Sequence, residues 1–138
     1  MIRCHIHFLS AFVTPTNPPT LALAFQYRSV LGTETVELFA KVDTGADYCV
    51  FSRGYAEALL IDVDTGIAQR FSTAAGEFRA FGHEVRLEVL GIGVGVIVYF
   101  YENPESTRNV LGRNGWLNQV RFGLVDYDSL VYFSHYDE

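Results

Sequence analysis

Two cysteines, Cys4 and Cys49, are too few for a disulfide framework; two reduced thiols in a cytoplasmic protein are the simpler expectation. No apolar run reaches about 18 residues, so no membrane-spanning helix is expected. The apolar stretch at residues 8–13 is too short and too weakly flanked for a signal peptide. Positive charge is scarce. Ten Lys and Arg against 16 Asp and Glu leave a net charge of −6 and a pI near 5.1, which argues against nucleic acid and anionic membranes as partners. Internal repeats and low-complexity tracts are missing as well. Cys4, His5 and His7 are metal-ligand types on one short stretch, but zinc sites want four ligands with better-defined spacing. Ordinary strand surface is the plainer reading there, and neither a metal nor another cofactor is expected.

What the chain does have is apolar content, 49% hydrophobic, in short alternating runs separated by turn residues. Its 138 residues fit one domain, 1–138. Strands are expected over residues 4–13, 21–27, 36–42, 84–89, 94–101, 120–125 and 130–134. Pro15, Pro18 and Pro19 mark a loop after the first of these. Residues 70–81 read as a hairpin with its tip at Ala74, Ala75 and Gly76. A short helix is expected over 53–60, N-capped by Ser52 and weakened by Gly54, with a second helical turn at 115–119. Many short strands with turn signals imply an all-β fold, closed and mostly antiparallel, a β-barrel with one or two short helices.

The stretch around which the rest is arranged is Lys41-Val42-Asp43-Thr44-Gly45-Ala46-Asp47-Tyr48-Cys49-Val50-Phe51. It sets a carboxylate at the tip of a strand–loop–strand unit. Gly45 lets backbone amides approach Asp43, and Thr44 adds a hydroxyl beside it. Asp64-Thr65-Gly66 repeats the triplet without the flanking apolar strand, so an Asp-initiated turn with Gly66 at positive φ is expected there. Further on, Asn109-Val110-Leu111-Gly112-Arg113-Asn114 sets two apolar residues before Gly-Arg-Asn.

These two motifs, in this order, resemble the retropepsin-like aspartic proteases, whose active-site loop reads Asp-Thr/Ser-Gly-Ala. The resemblance covers residues 35–134 and leaves residues 1–30 unmatched. It implies a retropepsin-like barrel in which the 70–81 hairpin is the flap, with Thr73, Ala74, Ala75 and Gly76 against substrate. It further implies catalytic roles for Asp43, Thr44 and Gly45, substrate contacts from Ala46 and Asp47, and support from Gly112, Arg113 and Asn114, with Arg113 pairing to Asp47. Two close carboxylates share one proton, so one can take a proton from water while the other gives one to the leaving amine. One convincing loop supplies one aspartate, and the second must come from another chain across a two-fold axis. The expectation is therefore a homodimeric aspartic endopeptidase acting on peptides or proteins. Lys41 departs from the family's usual apolar residue; on the same strand face as Asp43, it works against a shared proton, selects acidic substrate side chains, or snorkels out to solvent. The rival readings are a catalytically inactive retropepsin-fold module that dimerises or binds peptide, and a small barrel for an apolar ligand.

Overall fold

The computed structural model describes residues 9–12, 20–29, 32–89, 91–125, 127 and 130–136. Cys4, His5, His7 and the three early prolines lie outside the described residues. Among the described residues the chain forms β1 (Leu9–Phe12), β2 (Thr20–Ser29), β3 (Gly32–Val42), β4 (Val50–Phe51), α1 (Arg53–Ala58), β5 (Ile67–Thr73), β6 (Gly76–Val89), β7 (Ile92–Tyr101), β8 (Val110–Leu111), β9 (Val120–Val125) and β10 (Leu130–His135). Turns of 3-10 helix lie at Val63–Thr65 and Leu117–Gln119.

The sequence pattern makes strands where it alternates. In β3, Leu38, Ala40 and Val42 are buried while Phe39 and Lys41 face out, the period of two that a half-buried strand requires. In β6, Val85, Leu87 and Val89 are buried and Glu84 and Arg86 exposed. The end of β7, Val98 to Tyr101, is buried throughout, because that strand lies between β4 and β6.

Seven strands share one sheet in the order β2-β3-β8-β4-β7-β6-β5, and β1-β10-β9 form a second sheet of three. Where one closed barrel is expected from the sequence, the pairings give two sheets, and β2 makes a second contact to β6 through Leu23–Gln26. Parallel pairing is confined to the centre. There β8 runs alongside β3 at Lys41 and Val42, and β4 runs alongside β7. The main core gathers Phe51, Leu59, Leu87, Leu111 and Trp116 with Phe133 of the smaller sheet.

Several expectations need correction. The strand at 84–89 is not separate; it continues the hairpin strand as β6, fourteen residues long, so the hairpin is rooted in the core. The helix stops at Ala58 rather than residue 60, and the Ser52 hydroxyl does not cap it. Leu60 takes a left-handed φ of +62°, which reverses the chain and sends Ile61 back into the core. Gly66 has φ −74°, so turn conformation is not its reason. A Cβ there would lie 2.5 Å from the Gly82 carbonyl oxygen and within 2.8 Å of the His83 ring, so close approach requires the glycine.

The smaller sheet docks through aromatic contacts: Trp116 meets Phe133 edge-on at 5.6 Å and Phe122 at 6.1 Å. Phe133 is fully buried. Phe133→Ala is expected to cost about 3 kcal/mol or more in urea unfolding, the usual penalty for emptying an aromatic core site. A loss below about 1 kcal/mol would contradict this docking.

Candidate active site

The Asp43 loop starts where β3 ends and is shaped by its own backbone. The Ala46 N–H donates to the Asp43 carbonyl at 3.2 Å, closing the turn. The Gly45 N–H donates to Asp43 Oδ1 at 2.9 Å, and a Cβ on Gly45 would stand 3.3 Å from that same oxygen. One carboxylate oxygen is thus held by a backbone amide. The other, Oδ2, lies 3.6 Å from the Arg108 guanidinium. Thr44 is exposed, and its hydroxyl has no partner among the described residues.

Residues 109–114 back this loop from end to end. The Lys41 N–H donates to the Asn109 carbonyl and the Asp43 N–H to the Leu111 carbonyl, each at 3.0 Å. The Arg113 N–H donates to the Ala46 carbonyl at 2.9 Å and the Asn114 N–H to the Asp47 carbonyl at 2.8 Å. The Asn114 side-chain amide adds a second donor to Asp47 O, at 2.9 Å. Gly112 is required by contact. A Cβ on it would come within 2.2 Å of the Tyr48 carbonyl oxygen and 2.9 Å of the Ala46 carbonyl oxygen. Behind it the Cys49 thiol accepts from the Gly112 N–H at 3.3 Å and faces the Gly112 carbonyl at 3.7 Å. Burial pushes that thiol up to about 12, only partly offset by the Gly112 amide.

Arg113 does not pair with Asp47: its side chain is exposed and makes no ion pair among the described residues. Backbone bonds carry the link between the two motifs instead. Of the alternatives for Lys41, the outward course is the one seen: its residue is exposed. It lines a separate hollow with Phe39 and Thr107, and the cation beside Asp43 is Arg108. Asn109, which sequence reasoning left without a role, ties three elements together. Its Oδ1 accepts from the Ser52 N–H at 3.0 Å, and its Nδ2 donates to the Phe39 carbonyl at 3.2 Å and reaches Tyr55 Oη at 3.5 Å.

In front of the loop lies a cleft of about 560 Å³, bounded on one side by Asp43, Gly45, Ala46 and Asp47 and on the other by residues 69–73 of β5. Thr73 lines it; Ala74, Ala75 and Gly76 sit exposed at the hairpin tip and do not. The Thr73 hydroxyl accepts from the Ala75 N–H at 3.2 Å and donates to the Gly76 carbonyl at 2.9 Å, pinning that tip, where Gly76 has φ +124°. The apolar wall is aromatic. Phe71 and Phe78 stack at 5.0 Å, Phe78 lies 5.0 Å from Tyr101, and Tyr48 of the loop meets Phe71 edge-on at 5.7 Å. These rings could have been found from the hairpin register, which places Phe71 opposite Phe78 once the tip is set.

The second Asp-Thr-Gly copy is spent elsewhere. Asp64 makes a two-pronged ion pair with Arg53, both oxygens at 3.0 Å, and that guanidinium holds its carboxyl below the usual carboxylate range.

Comparison with known proteins agrees with this geometry. A family model described as aspartyl protease matches residues 29–125. No curated protein matches the chain. Among solved structures, a retropepsin-like aspartic protease from Rickettsia conorii superposes with a TM-score of 0.62 at 16% identity, covering 93% of this chain and 99% of that one. The EIAV protease complexed with the inhibitor HBY-793 superposes with a TM-score of 0.50 at 19% identity, covering 70% and 82%. At these identities the likeness speaks to the fold, which is retropepsin-like.

Two measurements check this architecture. Gly112→Ala is expected to cost about 2 kcal/mol or more in urea unfolding, because the clash is with backbone that cannot move aside; a neutral variant would contradict the close approach. Cys49 predicts an alkaline weakness. Below about pH 9 both folded and unfolded thiols keep their proton; above it the unfolded chain releases the proton while the folded chain holds it up to about 12, so stability falls as pH rises between them. Across that window the wild type should lose up to about 1.4 kcal/mol per pH unit more than Cys49→Ala. Equal slopes would mean that the thiol is not shielded.

Proposed function

The chain belongs to the aspartyl protease family, and from that membership we propose that it is an endopeptidase working as a homodimer with its cleft on the two-fold axis. The carrying observation is the Asp43 carboxylate, held through one oxygen by the Gly45 amide at the edge of a cleft that a hairpin faces from the other side. A single such loop cannot perform the reaction. Two Asp43 carboxylates meeting across the axis would share a proton, one taking a proton from the attacking water while the other protonates the departing amine. In this reading the exposed Thr44 hydroxyl, which has no partner among the described residues, bonds across that axis. In this reading Asp47, whose carboxylate has no partner among the described residues, and Ala46 meet the peptide backbone from the floor of the cleft.

The β5–β6 hairpin serves as the flap in this reading. Its tip is exposed and small, which suits a lid that must open, while its base is tied to the core through β6. The Phe71, Phe78 and Tyr101 rings offer one wall to an apolar substrate side chain. The β2–β6 pairing supports the barrel closure that the resemblance implies. A second reading, a cleft that binds peptide without turnover, is favoured by Arg108, whose guanidinium lies 3.6 Å from Asp43 Oδ2 and occupies that side of the carboxylate.

The two Asp-Thr-Gly copies provide the test. Asp43→Asn is nearly isosteric and should lower peptide cleavage by at least about a thousandfold while the protein folds and dimerises, the dimer tightening because like charges no longer meet. Asp64→Asn should leave cleavage unchanged, since its partner is Arg53. Peptide turnover with sedimentation of both variants reads the outcome. Cleavage lost in the Asp64 variant but kept in the Asp43 variant would place the chemistry in the wrong loop, and a strictly monomeric wild type would sink the catalytic reading.

A further inference from the structure

We infer that Arg108 is a specificity-determining residue that gives the cleft a preference for peptides carrying an acidic side chain beside the scissile bond. The inference rests on reading the cleft as a peptide site. In the free chain Arg108 is 68% exposed at its side chain, and among the described residues its one ion pair is with Asp43 Oδ2, at 3.6 Å. That separation is well beyond the roughly 2.8 Å of a tight guanidinium–carboxylate bond, so exchanging this carboxylate for another costs little. Arg108 also borders both hollows, the cleft and the one that holds Lys41, so its side chain has open space on either side.

A second guanidinium faces the same cleft. Arg70 of β5 lines it and makes no ion pair among the described residues. In a chain of net charge −6, this groove sets two cations, Arg70 and Arg108, against its two carboxylates, Asp43 and Asp47, beside an apolar wall. Tyr101 of that wall lies near enough to Arg108 for the cation to offset part of the rise that burial imposes on its phenol. An aromatic wall on one side limits solvent screening, which makes a carboxylate seated there worth more than one on open surface.

The exchange has a catalytic consequence. A guanidinium resting on Asp43 Oδ2 occupies the side from which a second carboxylate or a water would approach it. A substrate carboxylate that draws Arg108 away therefore binds and, in the same event, frees Asp43 for its part in the reaction. A neutral side chain at that place does neither.

The test uses a fixed library of peptide pairs that differ only by Glu or Gln beside the central bond, assayed near pH 6, where free glutamate is ionised. The same pairs, with a non-cleavable hydroxyethylene in place of the scissile amide, are measured for binding by calorimetry. Wild-type protein should favour Glu by about fivefold in kcat/KM and in affinity, the scale of a partly screened ion pair. Arg108→Gln should bring that ratio to about one, and Arg108→Lys should keep its sign. No preference in the wild type, or one that Arg108→Gln leaves intact, overturns the assignment. Should no peptide be cleaved while the Glu analogue still binds better and loses that advantage in Arg108→Gln, the assignment stands and the protease reading falls. Should neither analogue bind, both fall.

Discussion

Gly112 passes so close to the backbone of the Asp43 loop that no side chain fits between them, and the site follows from that contact. Because residues 109–114 can lie against the loop, their carbonyls and amides meet those of residues 41–47 in regular sequence, from Lys41 to Asp47. Every strand that holds the loop is reached from there: β3 and β4 pair with β8 directly, and β7 pairs with β4. A loop braced this way along its length has little freedom left. The Asp43 carboxylate is positioned by backbone, through the Gly45 amide, rather than by a flexible side chain.

Such rigidity contrasts with the hairpin across the cleft. Near its tip only local bonds hold the chain, among them those of the Thr73 hydroxyl, while a few residues away the Phe71–Phe78 stack reaches Tyr48 and Tyr101. The cleft thus lies between a floor braced along its length and a hairpin rooted in the core at its base. Two arginines and two aspartates line the groove, so its charges balance within a chain of net charge −6.

Much of this was legible in the sequence where geometry leaves no alternative residue. Gly45 announces a close approach, alternation in β3 announces its buried face, and small residues between two periodic runs announce the hairpin tip, whereas Gly112 entered only as support implied by the family resemblance. Contacts that depend on long side chains were not legible. Arg113 and Lys41 were given partners by resemblance and by strand phase, yet an exposed side chain with several rotatable bonds is placed by its tertiary surroundings, and Arg108 holds the position beside Asp43. Asp64 looked like a bare turn because its partner, Arg53, lies on a helix eleven residues away, and ion pairs leave no periodic trace. The helix end was missed for a related reason: a left-handed leucine at residue 60 runs against local preference and is imposed by the burial of Leu59 and Ile61.

The central claim is that one active site needs Asp43 from two chains, and mixing subunits tests it most directly. Wild-type and Asp43→Asn chains are unfolded together, refolded at varied ratios and fixed total concentration, and assayed for peptide cleavage. If each site takes one Asp43 from each partner, only wild-type pairs cut, and activity falls as the square of the wild-type fraction. A linear fall would mean that each chain carries a complete site of its own and would contradict the account.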